Sequence, residues 1–183
     1  SFTDPELVRN RYISDKDSYQ KVINLYEEYS YADHPVFIFN VTMQNHSDYS
    51  TGYYGDDTVQ IPGYESDFPD TEEYLTLIRE SDNAIPVLID YFSNIEEPTV
   101  IVLFGDHQPK ISDDFYEAAL GKPLEDWFLD EAQERFIVPF FIWANYDIEE
   151  ESNIFTSANY LSSLLFQVAG IKPVPYQNYV NAP

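Results

Sequence analysis

Three apolar runs limit what this chain can fold into: VFIFNVT at 36–42, TVIVLF at 99–104 and FIVPFFIW at 136–143. Each is rich in β-branched and aromatic residues, and none alternates cleanly between apolar and polar. Such runs are typical of strands buried on both faces, as occurs where helices cover a parallel sheet. Pro139 inside the last run hints at an edge or a bulge, because proline donates no ladder hydrogen bond. Between the runs lie segments at helical spacing. Residues 15–31 place Val22, Ile23, Leu25, Tyr26 and Tyr29 on one face. Thr71 reads as an N-cap with Glu72 and Glu73 in the first turn, opening a helix to about Phe92 with an irregularity at Pro86. Short helical pieces follow around 114–120 and 124–135, and a helix over 157–169 is stopped by Gly170. Residues 43–70 hold Gly, Pro, Asp, Ser and Tyr without lasting period and read as a long loop. The order predicts an α/β fold, a largely parallel sheet flanked by helices, as a single domain over 1–183.

Charge narrows the functional classes. There are 33 acidic and 9 basic residues, a formal charge of −24. That field repels phosphate backbones and anionic lipid, so nucleic acid is not an expected partner. It attracts divalent cations, although a solvated surface is the plainer reading of the acidity. The absence of cysteine excludes disulfides, a thiolate zinc site and a thiol nucleophile. No apolar run approaches the roughly 20 residues that span a bilayer. No charged-then-apolar leader stands at Ser1, so any membrane anchor is expected outside this chain. The 16 Tyr and 13 Phe predict a core filled largely by rings.

In α/β sheets, ligands bind at the carboxyl ends of strands. The second run stops at Gly105-Asp106-His107, and the first ends in Thr42-Met43-Gln44-Asn45-His46. A carboxylate beside an imidazole suits Mn²⁺, Zn²⁺ or Mg²⁺, and Gly105 permits the sharp turn that brings both to one ion. From spacing alone, the pair reads more readily as a helix cap or a hydrogen-bonded loop pair than as a metal site, and His46 as a solvated side chain. His34 lies at the opposite end of its run and reads as structural. Tyr49, Tyr53 and Tyr54 read as loop packing or as the lining of a glycerol or sugar pocket.

Taken together, VTMQNHSDY, VIVLFGDHQP, VPFFIWANYDI and SANYLSSLLFQVAGI resemble the lipoteichoic acid synthase family, in the sulfatase branch of the alkaline phosphatase superfamily. The resemblance runs from about Tyr31 to Tyr179. It implies an alkaline phosphatase/sulfatase-like fold, and an enzyme anchored on the extracellular face of a Gram-positive cell membrane. It implies a Mn²⁺-type ion, with Mg²⁺ or Zn²⁺ as alternatives, and transfer of phosphoglycerol from a lipid by a threonine nucleophile. On residue-by-residue matching, Asp106 and His107 resemble the family's metal-binding pair, and His46 resembles the histidine that contacts the substrate phosphate. The family's threonine nucleophile and glutamate ligand have no counterpart here, and no C/S-x-P-x-R motif is present. The chain is therefore expected to be the C-terminal half of such a catalytic domain, with an incomplete sheet, no catalytic nucleophile and no activity alone. An exposed sheet edge is expected to be covered, for instance in a homodimer. The alternative is a non-catalytic carbohydrate- or wall-binding module that keeps the fold. A calcium-binding protein is a third reading, but no D-x-D-x-D-G loop supports it.

Overall fold

The structure is a computed structural model that describes residues 2, 4–31, 34–49 and 51–180. It divides into two compact units, Ser1–Tyr91 with His107–Ile137, and Phe92–Asp106 with Val138–Pro183.

The first unit begins with a two-stranded hairpin, β1 (Leu7–Val8) and β2 (Tyr12–Ile13), antiparallel with Leu7 opposite Ile13. Arg9 and Asn10 make its turn at φ 54°, in the left-handed region that asparagine tolerates better than most residues. Ser14 then caps α1 (Asp15–Tyr29), its hydroxyl accepting the Asp17 N–H at 3.1 Å. Helix α1 buries Ser18, Tyr19 and Ile23 on one face. The long helix α2 (Pro69–Ser93) starts earlier than the sequence pattern suggests. Pro69 takes the first helical position, where a missing N–H costs nothing. Thr71 lies inside the first turn and is buried, so it is not the cap. The helix continues through Pro86.

Leu77 on α2 is fully buried at 0 % exposure and packs with Val8, Tyr49 and Ile111. Burial of one such leucine is worth roughly 2 kcal/mol. Tyr54, Tyr74, Phe115 and Tyr116 close around this cluster, with Tyr49 and Tyr74 edge-on at 5.4 Å. Rings thus surround this cluster, but the most buried apolar residues are mainly aliphatic and many of the rings are exposed, so the ring-filled core expected from composition holds only in part. Helix α3 (Asp113–Leu120) and the short α4 (Leu129–Glu134) complete this unit.

The long loop is pinned to the first turns of α2. The Glu73 carboxylate accepts the N–H groups of Thr51 and Gly52 at 2.9 and 2.8 Å. Glu72 Oε1 accepts those of Ile61 and Ser66 at 3.3 and 2.9 Å. Thr76 Oγ1 accepts the Val59 N–H at 2.8 Å. Buried carboxylates need donors, and loop amides without a ladder need acceptors, so each satisfies the other.

In the second unit, β3 (Val100–Phe104) pairs with β4 (Phe140–Ala144), Val100 opposite Ala144 and Phe104 opposite Phe140. The ladder is antiparallel. The α/β class of the sequence reading stands, but the strand pair that the described residues form is not the parallel one expected. Strand β4 starts only after Pro139, which cannot donate to the ladder. Asn145 closes the far end. Its amide donates to the carbonyls of Phe92, Ile95 and Glu97, and its oxygen accepts the Thr99 N–H at 2.8 Å. Helix α5 (Ala158–Val168) ends as predicted at Gly170, φ 64°. The Ile171 N–H reaches Phe166 O at 2.8 Å and the Gly170 N–H reaches Gln167 O at 3.2 Å, a Schellman closure. A short helix, α6 (Pro175–Val180), follows.

The run 36–42 is extended but forms no strand among the described residues. Val36 and Ile38 are half-buried, whereas Phe37 and Phe39 are 80 % and 68 % exposed. A strand requires a neighbour in register, and none of the described residues pairs with this run. Among the described residues, no helix is long and apolar enough to cross a membrane.

Asp15 yields a pH prediction. It is buried at the start of α1 and accepts the Ser81 hydroxyl at 2.5 Å. Burial raises its carboxyl above the ordinary value, against the opposing donors Ser81 and Thr42. The folded state thus holds this proton more tightly than the unfolded chain, and the stability it contributes falls as pH rises through the folded value. Asp15→Asn carries no charge to bury. Its stability relative to the native chain is expected to increase as pH rises above the ordinary carboxylate value in urea unfolding. A difference that is flat or falls with pH contradicts this account.

Candidate functional site

Strand β3 ends against a close approach. A Cβ on Gly105 would stand 3.2 Å from the Val138 Cβ, so any side chain here would press on Val138 as the chain leaves the sheet. Asp106 and His107 follow at once, both exposed. The His107 Nδ1 lies 2.8 Å from the Gln108 carbonyl oxygen. That contact favours the tautomer with the proton on Nδ1 and the lone pair on Nε2. The Gln108 side chain donates in turn to the carbonyl of Ile137.

His46 stands in a turn held from several sides. Its N–H donates to Met43 O at 3.1 Å. Gln44, 2 % exposed, accepts the Asp15 N–H at 2.9 Å and donates to Ser81 Oγ at 3.2 Å and Leu77 O at 3.4 Å. Asn45 donates to the same Ser81 hydroxyl at 2.8 Å, and the Tyr49 hydroxyl donates to Asn45 O at 2.9 Å. The Arg9 guanidinium donates to three carbonyls of the turn: Gln44 O at 2.8 Å, His46 O at 2.5 Å, and Asp48 O. It lies over the rings of Tyr12 and Tyr49, 5.3 and 5.8 Å from their centroids. The His46 Nδ1 is 3.0 Å from Ser47 O, with the Tyr12 hydroxyl 3.3 Å away. As at His107, a backbone carbonyl takes Nδ1 and leaves Nε2 for other work.

His46 and His107 belong to the first unit, and Asp106 to the second. Among the described residues, no three His, Cys, Asp or Glu side chains gather where they can hold a metal ion. The donor types at 106–107 fit a divalent cation, but they are part of a ligand set rather than a whole one. Tyr49 is core, and Tyr54 packs against it. Burial, and then the Glu80 charge, push the Tyr54 hydroxyl up to about 12. His34 is exposed, as a structural role permits.

Arg9, Tyr12 and Gln44 escaped the sequence reading. The signal for Arg9 was its sign, since a cation is scarce in a chain with 9 basic and 33 acidic residues. Nothing in local spacing marks Gln44, whose role depends on contacts far along the chain.

A family model described as Sulfatase matches residues 1–171. A Rhizobium meliloti (strain 1021) protein named for cyclic beta-1,2-glucan modification is 25% identical over 181 residues, covering 94% of this chain and 27% of that protein. The capsular polysaccharide biosynthesis protein RkpI of the same organism is 31% identical over 103 residues, covering 56% of this chain and 15% of its own. This chain therefore spans only a minor part of these relatives. Among solved structures it superimposes on the Streptococcus pyogenes phosphoglycerol transferase GacH, determined with sn-glycerol-1-phosphate, with a TM-score of 0.67 and 21% identity. That match covers 90% of this chain and 40% of GacH, and shows the alkaline phosphatase/sulfatase-like fold in part.

Removing the Arg9 guanidinium strands three carbonyls of the His46 turn. With Arg9→Ala, amide hydrogen exchange over 44–49 is expected to accelerate by about tenfold or more, following a loss of roughly 1–3 kcal/mol of local stability. Exchange within α5 should not change. Native-like protection of 44–49 in the variant contradicts the assigned role.

Proposed function

Because the chain belongs to the sulfatase family, we propose that it is the C-terminal part of the catalytic domain of a metal-dependent phosphoglycerol transferase, or a related ester hydrolase, acting on the outer face of a bacterial membrane. The observation that carries this reading is the end of β3, where Asp106 and His107 follow Gly105 directly, both exposed, with His107 Nδ1 2.8 Å from the Gln108 carbonyl. The phosphoglycerol transferase GacH supports phosphoglycerol as the transferred group, and the glycan-related names of the two relatives support a glycan acceptor. Manganese is the proposed ion, with magnesium and zinc as alternatives. Those relatives come from Rhizobium meliloti and Streptococcus pyogenes, so a Gram-positive host is not part of the reading.

Asp106 and His107 would hold the ion, together with ligands from outside this chain. A bound divalent cation supplies charge neutralisation and lowers the pKa of an attacking oxygen. With both ring nitrogens protonated, His46 would donate its Nε2–H to a phosphoryl oxygen of the ester while its Nδ1–H is held by the Ser47 carbonyl. Arg9 acts behind it as a positioning residue. At a chain charge of −24, such local donors and cations are what allow an anionic ester to approach. The threonine nucleophile is assigned to sequence upstream. The edges of the β3–β4 pair are the surface that upstream strands, or a second copy of the chain, would cover.

The test is phosphoglycerol release by the protein expressed with its upstream sequence. Metal-dependent turnover is expected. His46→Ala, Asp106→Asn and His107→Ala should each lower it by about 100-fold or more, with the isolated 183-residue chain silent. Full activity in the Asp106 and His107 variants, or turnover by the isolated chain, contradicts the assignment. A longer protein that binds glycan and shows no turnover establishes the non-catalytic module instead.

A further inference from the structure

The Ser81 hydroxyl on α2 is the point where three side chains of the first unit meet. It donates to Asp15 Oδ2 at 2.5 Å, and it accepts from Asn45 Nδ2 at 2.8 Å and from Gln44 Nε2 at 3.2 Å. A hydroxyl has one proton to give and two lone pairs, so this one is saturated. A serine inside a helix often turns its hydroxyl back to the carbonyl four residues earlier. At Ser81 that carbonyl belongs to Leu77, and it takes the Gln44 Nε2–H at 3.4 Å instead. The Ser81 proton is thus committed to α1, and both lone pairs to the turn that leads into His46.

The direction of that proton follows from the chemistry of its neighbours. Only the Asp15 oxygen accepts, because both amides present N–H groups. The Gln44 amide is held in this orientation by its Oε1, which takes the Asp15 N–H at 2.9 Å. Asp15, Gln44 and Ser81 therefore close a ring of hydrogen bonds at the buried start of α1, with Asn45 attached to it. Gln44 and Asn45 are the two residues before His46. Arg9 holds the carbonyls of this turn, and Ser81 holds its side chains.

We propose that Ser81 is a positioning residue for His46. By gathering Gln44 and Asn45 on one hydroxyl, it fixes the turn that presents the imidazole to the ester. The inference rests on the phosphoryl-binding role given to His46.

The test compares Ser81→Ala with Ser81→Thr, which keeps the hydroxyl, and with Asn45→Ala, which removes one link and leaves the ring of Asp15, Gln44 and Ser81. The first readout is the His46 tautomer in the isotope-labelled chain, taken from its ring nitrogen shifts at a pH where the imidazole is neutral. The native chain should carry the proton on Nδ1, against the Ser47 carbonyl 3.0 Å away. In both alanine variants the proton should redistribute toward Nε2 as the ring leaves that carbonyl, whereas Ser81→Thr should match the native chain. The second readout is turnover by the protein expressed with its upstream sequence. Ser81→Ala should lower kcat by about tenfold with KM changed by about twofold at most, and Ser81→Thr should restore kcat. Should Ser81→Ala fail to fold, the tautomer in Asn45→Ala decides the outcome. A native-like tautomer in the alanine variants overturns the proposal and leaves the role of His46 standing. Native kcat in Ser81→Ala overturns it too, as does a loss in Ser81→Thr equal to that in Ser81→Ala. Full turnover with His46→Ala overturns the role of His46, and the proposal with it.

Discussion

A buried side-chain amide must find a partner for each of its polar atoms, and at Gln44 that requirement organises the first unit. Its oxygen holds the first N–H of α1, and its nitrogen reaches a hydroxyl and a carbonyl on α2. Two helices far apart in sequence are thereby tied to the turn that carries His46. Arg9 draws in the same turn from the other side through three carbonyls. The direction of the His46 ring follows from these contacts more than from its own. An exposed histidine in an irregular loop would otherwise sample many orientations, and catalysis on an ester tolerates few.

The acidity of the chain has two parts with different physics. Asp15, Glu72 and Glu73 are buried, and they accept hydrogen bonds from hydroxyl and backbone groups. Glu72 and Glu73 anchor a loop too long and too polar to hold itself, replacing the ladder that its amides lack. The remaining carboxylates are mostly solvated and set the external field. That field disfavours anionic ligands everywhere except where a cation or a fixed N–H donor is placed. Against this background, the strand-end pair and the His46 turn are the places proposed to receive an ester anion.

The elements best read from sequence were those determined by local chemistry. The apolar spacing of Val22, Ile23, Leu25 and Tyr26 gave α1, and Gly170 marked the end of α5 at a left-handed residue. The apolar run before Gly105 gave β3 and, with it, the position of Asp106 and His107. The misreadings share a cause, which is dependence on partners distant in the chain. Residues 36–42 have the composition of a strand but no ladder among the described residues. The direction of β4 relative to β3 is set by the path of the intervening segment, which periodicity does not encode. The β1–β2 hairpin is too short to leave a pattern, and Arg9 acquires its role only when its turn meets residues 44–48. Thr71 was misplaced because Pro69 starts the helix by a backbone preference that outweighs the capping signal.

The central claim is that the end of β3 is a platform for a divalent cation. Paramagnetic broadening by substoichiometric Mn²⁺ in an isotope-labelled sample of the chain tests it most directly. The account predicts that the resonances of residues 105–108 broaden first, and that Asp106→Ala with His107→Ala abolishes this preference. Broadening that spreads evenly over the acidic surface, or that centres elsewhere and is untouched by the double variant, would contradict it.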